Sequence, residues 1–192
     1  MNFHGKDIKI FSANSNRQLA RQIAEALGLP LGKSEVTTFS DGEISVSINE
    51  SVRGSDVFVV QSTCEPVNDH LMELLIMIDA FKRASAARIT AVIPYMGYAR
   101  QDRKAAPREP ITAKLVADLM AASGVDNVIT IDLHQDAIQG FFDLPVNHMT
   151  AMPIFVDYFQ SMGLDKDKLC VVSPDVGRAK AAKKFSTMLD CD

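Results

Sequence analysis

Two residues near the middle of the chain have types and spacing suited to chemistry. Asp132 and His134 follow Val128, Ile129, Thr130 and Ile131 within NVITIDLHQDAIQGFFD, residues 127–143. Such a β-branched, nearly unbroken apolar run fits a strand buried on both faces of a parallel sheet. Alternate residues leaving a strand point the same way, so both side chains are expected on one side of the sheet's edge. Ligands of open α/β sheets sit beyond the carboxyl ends of the strands. A carboxylate and an imidazole there suit a cation or a phosphate; a turn-capping Asp and a solvated His are the plainer alternative. Asp175, in VVSPDVGR, follows another expected strand, Leu169 to Val172. It either joins the first two residues at that edge or caps the Lys-rich helix after it.

A second group is the segment YMGYARQDRKAAPREP, residues 95–110, after an expected strand Ile89–Ile93 and its terminating Pro94. It carries Arg100, Arg103, Lys104 and Arg108 against Asp102 and Glu109, with two tyrosines. Structureless loops longer than about 12–15 residues are uncommon in compact domains and are usually functional or disordered. Guanidinium groups and aromatic rings are the parts of a site for a polyphosphate and a flat base; a solvated loop is the alternative. A third group sits on an expected hairpin. Glu35–Phe39 and Ile44–Ile48 alternate around SDGE, and Asp-Gly between alternating runs is a strong hairpin signal. Phe39, Asp41, Gly42 and Glu43 cluster at its tip, where Phe39 either stacks on a base or another subunit, or folds back on its own domain.

The positioning elements follow from periodicity. Ile8, Ile10 and Phe11 suggest a first strand, and Leu19, Ile23 and Leu27 form the stripe of a helix that Gly28 closes with a left-handed cap. GLPLGKS, residues 28–34, resembles a phosphate-binding loop. It has one residue too few between its glycines and runs from helix to strand, the reverse of what that loop needs. Val57–Val60 reads as a buried strand. Asn68 then caps a helix with Leu71, Leu74, Leu75, Ile78 and Phe81 on one face, a core stripe. Pro110 opens a helix with Leu115, Val116, Leu119 and Met120 that ends at Gly124, and Pro153 opens one with Ile154, Phe155, Tyr158 and Phe159. Strands alternating with helices, plus one hairpin, predict an α/β fold with a doubly wound, mostly parallel sheet.

The bulk numbers narrow the partners. The 192 residues are 47% hydrophobic and 23% charged, the proportions of an ordinary globular protein. A net charge of −4 argues against a general nucleic-acid coat but leaves room for a local basic pocket. Three cysteines, Cys64, Cys170 and Cys191, have neither metal spacing nor a paired framework, and fit a reducing cytoplasm. No signal peptide and no membrane-length apolar run are evident.

FSDGE, YARQDRK, ITIDLHQDAIQGFFD and VVSPDVGR occur in the order found in ribose-phosphate diphosphokinases, which the chain resembles over nearly its whole length. The resemblance implies a phosphoribosyltransferase-like domain over residues 1–150, the ATP side, and the truncated start of a similar C-terminal half over 151–192. It implies transfer of the β,γ-diphosphoryl group of ATP to ribose 5-phosphate, giving phosphoribosyl pyrophosphate and AMP, with magnesium required. Arg100 and Gln101 would hold ATP, Phe39 would cover the adenine, and Asp41, Gly42 and Glu43 would meet its polar edge. His134 would be catalytic at the phosphates and magnesium, with Asp132 and Asp175 in the metal site. Ser51, Arg53, Ser85 and Arg108 resemble parts of a regulatory site for ADP or phosphate. The family assembles as hexamers, so a cytoplasmic homo-oligomer is implied, without nucleic acid or membrane.

There are departures. Asn147 stands where members often carry a second Asp, which weakens a metal role for the Asp143 segment. The cationic KRR-type loop and the acidic DDxxDTGGT loop are not in the sequence, so this chain alone is expected to be inactive. A non-catalytic regulatory or structural subunit is the alternative, against which the intact DLH, RQD and DGE residues count. An unrelated metal hydrolase would need a nucleophile that the sequence does not offer.

Overall fold

The computed structural model describes residues 2, 3 and 6–192. They form two compact units, Met1–Met149 and Thr150–Asp192. In the first, a six-stranded sheet runs β1 (Asn2–Phe3), β2 (Lys6–Ser12), β5 (Asp56–Val60), β6 (Arg88–Ile93), β7 (Asn127–Ile131) and β8 (Val146–Met149) in spatial order. Only the β1–β2 pairing is antiparallel. The short strand β8 is not evident from residue types, because VNHM carries only two apolar residues. The helices α1 (Arg17–Ala26), α2 (Val67–Arg83) and α3 (Thr112–Ser123) connect the strands, and β3 (Ser34–Thr38) pairs with β4 (Ile44–Ile48) as a separate hairpin.

The two sheet faces are covered unequally. Phe11, Val57, Val59, Ile89, Ala91, Ile93 and Val128 face α2 and α3 in the main core, where Leu74, Met77, Ile78 and Phe81 are fully buried. Ile10 and Val60 belong to a smaller cluster under α1, flanked by Ile8, Phe58 and Val92. There the buried helix residues are Ala20 and Ala24, not the expected Leu19–Ile23–Leu27 stripe, and Leu27 is 45% exposed. Small alanines let the helix approach the sheet closely. Ile23 and Leu27 instead border an apolar cleft of about 270 Å³ floored by Ile8, Ile10, Phe58 and Val92. In α3 the apolar stripe is displaced in the same way. Ala113, Val116, Ala117 and Met120 are buried, whereas Leu115 and Leu119 face outward.

Most helix ends follow the sequence. Asn16 accepts the Leu19 N–H at 2.9 Å to start α1, and Gly28 follows its C-cap at φ +67°. Residues 28–34 therefore join the end of α1 to the start of β3, the wrong context for a phosphate-binding loop. Gly124 closes α3 in the left-handed region. Asn68 does not cap α2. Pro66 occupies the cap, and Asn68, one residue inside the helix, accepts the Tyr98 hydroxyl instead.

Beyond the ladders, the carboxyl-end loops are tied to one another. Gln61 N–H donates to the Val92 carbonyl at 2.9 Å, Thr63 N–H to the Tyr95 carbonyl at 2.8 Å, and Gly97 N–H to Thr63 Oγ1 at 2.7 Å. A Cβ on Gly97 would lie 2.5 Å from the Thr63 carbonyl, so the approach of these two loops requires glycine. Glu73 of α2 is buried and receives three donors: Asn14 N–H at 3.1 Å, Asn14 Nδ2 at 2.7 Å and Gln61 Nε2 at 2.7 Å. Asn14 Nδ2 also reaches the Val36 carbonyl at 3.1 Å, which ties in the hairpin.

In the second unit, α4 (Met152–Ser161) packs on α5 (Ala179–Leu189), with Phe159 and Phe185 edge to face at 5.9 Å. Leu169–Val172 is not a strand. A strand needs a lateral ladder, and here Val171 N–H meets the Asp192 carbonyl at 2.7 Å while Val172 is 81% exposed. Among the described residues no helix is long and apolar enough to cross a membrane.

Two predictions follow from these ties. Glu73→Gln turns one acceptor oxygen into a donor facing donors, and is expected to cost about 1–3 kcal/mol in urea unfolding; an unchanged midpoint would contradict the network. Glu50 accepts Lys9 Nζ at 2.5 Å and Lys33 N–H at 2.7 Å. Burial pushes its carboxyl up, but Lys9 and Lys33 together hold it below the ordinary 4.5. A lowered folded-state value contributes stability that is present above the unfolded value and lost as pH falls through the folded one. Glu50→Gln should therefore shrink the fall in urea midpoint between about pH 6 and about pH 3; an unaltered fall would rule this out.

Candidate functional site

The site begins with two adjacent parallel strands. The register of β6 on β7 ends at Ile93 opposite Thr130. Neighbouring strands lie about 4.8 Å apart, so the loops that leave them start side by side. One is the basic segment, the other the Asp132–His134 segment.

Residues 94–111 form no regular helix or strand, as the sequence predicts, yet the loop is internally ordered. Glu109 Oε2 accepts the Ala105 and Ala106 N–H groups, both at 2.8 Å. Arg100 and Gln101 are both exposed. Gln101 anchors the loop to α3: its carbonyl accepts the Ala113 N–H at 3.1 Å and its Oε1 the Thr112 hydroxyl at 2.5 Å. That supplies the helix start with the cap that Ile111, an apolar N-cap, does not.

After β7 the chain departs from the expected geometry. Asp132 has φ +46°, so the backbone is not extended there and simple strand alternation does not set its direction. A left-handed residue costs roughly 1–2 kcal/mol, less for Asp and Asn, whose short polar side chains bond locally. The burial order nevertheless alternates, with Asp132 and His134 exposed around Leu133, which is 7% exposed. Asp132 N–H donates to the Met149 carbonyl at 2.9 Å and Leu133 N–H to His148 Nε2 at 3.0 Å. The role of His148 has no signal in residue spacing, because it lies on the strand β8 that sequence reasoning missed. Asn147 Nδ2 donates to Asn127 Oδ1 at 3.2 Å within the sheet, which is a packing role.

The hairpin carries the third group. Between Thr38 and Ile44 the tip is held by Phe39 N–H to the Glu43 carbonyl at 2.8 Å and Glu43 N–H to Asp41 Oδ1 at 3.1 Å, with Gly42 at φ +93°. Phe39 is 56% exposed, so it does not fold back into the core. The base does: Val36 is buried, and Ile44, Val46 and Ile48 pack beside it, with β4 lying along α2. Gly42, Glu43 and Ile44 border a depression of about 370 Å³ with Asn68, Asp69 and Met72 of α2.

Ser51 and Arg53 are on the turn after β4, and Gly54 N–H donates to the Ser85 carbonyl at 2.9 Å, so Ser85 does adjoin that turn. Arg108, at φ +70°, belongs to the basic loop. Asp175 is in the second unit, where Oδ1 accepts the Arg178 N–H at 2.9 Å and caps a single 3-10 turn before α5. Among the described residues no three His, Cys, Asp or Glu side chains group as a ready-made metal cage. Asp132 by itself is an exposed carboxylate of the kind that magnesium binds alongside substrate phosphates while keeping several waters.

Comparison with known proteins gives one answer. Residues 8–124 match the family model described as the N-terminal domain of ribose phosphate pyrophosphokinase. The chain is 64% identical over 191 residues to a ribose-phosphate pyrophosphokinase of Clostridium perfringens, covering 99% of this chain and 60% of the relative. It is 60% identical over 185 residues to one from Fusobacterium nucleatum, covering 96% and 58%. A crystal structure of phosphoribosylpyrophosphate synthetase from Mycobacterium smegmatis superposes with a TM-score of 0.91 at 48% identity, over 96% of this chain and 61% of that one. The chain thus spans about 60% of the length of these relatives. The match over residues 8–124 and the shared fold make this chain a member of the ribose phosphate pyrophosphokinase family.

Proposed function

We propose that the chain is the ATP-binding portion of a ribose-phosphate diphosphokinase, which moves the β,γ-diphosphoryl group of ATP to the anomeric hydroxyl of ribose 5-phosphate and releases AMP. The observation that carries this reading is the adjacency of β6 and β7, which sends the basic loop and the Asp132–His134 loop out from one edge of the sheet. Arg100 supplies a planar cation for phosphate or for the face of adenine, and Gln101 fixes that loop to α3. Phe39 offers an exposed ring for stacking, beside Asp41 and Glu43 as acceptors for the exocyclic amine. Asp132 suits a hard cation carried by the triphosphate, and His134 a hydrogen bond to a phosphate oxygen. Magnesium, when bound with ATP, would neutralise phosphate charge and orient the chain of phosphates. Residues 1–150 form the ATP side in this reading, and Ser51, Arg53, Ser85 and Arg108 serve an anion regulator.

Diphosphoryl transfer depends mostly on positioning and charge stabilisation. These 192 residues span about 60% of the length of the relatives they match, so the test of this reading is nucleotide binding. Calorimetry on these residues is expected to show binding of Mg·ATP; no detectable binding at millimolar nucleotide would contradict the reading. Arg100→Ala should raise the Kd for Mg·ATP roughly tenfold to a hundredfold, the loss of one charge-assisted contact, with no change in unfolding midpoint. An unaltered Kd would remove Arg100 from the site. Altered inhibition of a full-length synthetase on mixing, with no Mg·ATP binding by this chain, would favour a regulatory subunit instead.

A further inference from the structure

The Asp132–His134 loop has an anchor that neither the motif nor the family comparison assigns. The β7–β8 ladder ends at Ile131 opposite Met149. One residue further, Asp132 still reaches β8, through the Met149 carbonyl at 2.9 Å. Its left-handed φ of +46° then turns the chain away from the sheet, and Leu133, 7% exposed, has no strand carbonyl opposite its N–H. A buried N–H without an acceptor is rare in native proteins. Here the acceptor is a side chain: Leu133 N–H points at His148 Nε2, 3.0 Å away.

That bond defines the ring's state. An imidazole nitrogen accepts only if it carries no proton, so the ring is the neutral tautomer with its proton on Nδ1. Nδ1 lies 3.5 Å from Asp136 Oδ1 and 3.5 Å from Gln139 Nε2, and the carboxylate is the acceptor that favours this tautomer. The side chain of His148 is 14% exposed, so the ring is held within the fold. One imidazole thus contacts residues 133, 136 and 139.

We propose that His148 is the positioning residue of the Asp132–His134 loop: its Nε2 accepts the Leu133 N–H that the left-handed turn at Asp132 leaves without a ladder partner, and so fixes the turn. It touches no substrate in this role. The proposal rests on the reading of that loop as part of the Mg·ATP site, and its test separates the two. The bond is observable directly, because an N–H···N contact transmits a scalar coupling between Leu133 N and His148 Nε2 in 15N-labelled chain. His148→Gln puts an amide oxygen close to the Nε2 position; His148→Phe keeps the ring's shape without an acceptor.

The expected result is a resolved coupling in the unmodified chain. His148→Phe should raise Leu133 amide exchange and the Kd for Mg·ATP by roughly tenfold or more. His148→Gln should restore both to within about twofold, the range of a kept hydrogen bond. Absence of the coupling overturns the proposal. So does equal behaviour of the two variants, or a loss of overall stability in His148→Phe with the Kd unmoved, since either would mean a packing role only. If the coupling and the exchange pattern appear but the unmodified chain binds no Mg·ATP, the anchoring of the loop is upheld and the nucleotide reading of that loop is what falls.

Discussion

The constraint on which the rest depends is the fate of backbone donors just past the carboxyl ends of a buried parallel sheet. Inside the ladder each N–H has a neighbour; one residue beyond it does not, and the cost of burying it bare is about 1–3 kcal/mol. This chain meets that cost with contacts between tips. The tip of β5 donates to the carbonyls of Val92 and Tyr95, the loop after β6 donates back to Thr63 Oγ1, and the turn after β7 donates to Met149 and His148. Ser15 N–H uses Gln61 Oε1 at 3.0 Å, and Asn14 uses Glu73. The basic loop is thereby tied to the tip of β5, and the Asp132–His134 turn to β8, before any ligand is present, and such preorganisation is what charge stabilisation of a polyphosphate requires.

The hairpin belongs to the same scheme by a different means. It shares no ladder with the main sheet, so its placement comes from Val36 in the core, the packing of β4 on α2, and the Asn14 Nδ2 bond to the Val36 carbonyl. A base held by burial and a tip held only by its own turn give a lever with a fixed root. Phe39 is presented at its end with more than half its surface open, although burying a phenylalanine is worth about 1.5–3 kcal/mol. An aromatic left outside at that cost, beside two carboxylates, is in keeping with a surface that meets something else.

Much of this was legible in the residues. Buried strands such as Val57–Val60 and Asn127–Ile131 announce themselves by β-branched runs, and Gly28, Gly124 and Asp-Gly mark turns by backbone chemistry. What escaped has a common cause. The expected stripes of α1 and α3 were displaced because alanine, counted as weakly apolar, was the residue in closest contact with the sheet. Strand β8 escaped because Asn147 and His148 look polar by type, while their partners Asn127 and Leu133 are distant in sequence. Leu169–Val172 reads as a strand by composition, but a strand exists only in a ladder, and among the described residues the segment has a single bond to Asp192 and joins neither sheet. Local pattern reports on one residue's preference; pairing is a property of two.

The same division separates the residues that act from those that hold. Arg100, Gln101, Asp132, His134 and Phe39 are exposed, whereas Glu73, Gln61, Thr63 and Leu133 behind them are buried. Exposed groups contribute little to folding free energy, since solvent replaces their partners. Buried polar groups are worth little net when satisfied and cost heavily when left alone. Binding and stability thus draw largely on different layers of one sheet edge: exposed groups above, and above all Glu73, Gln61 and Thr63 holding the loops beneath them. The positive φ at Asp132 shows where the layers meet, since a carboxylate is turned outward there only because β8 accepts both N–H groups that the turn exposes.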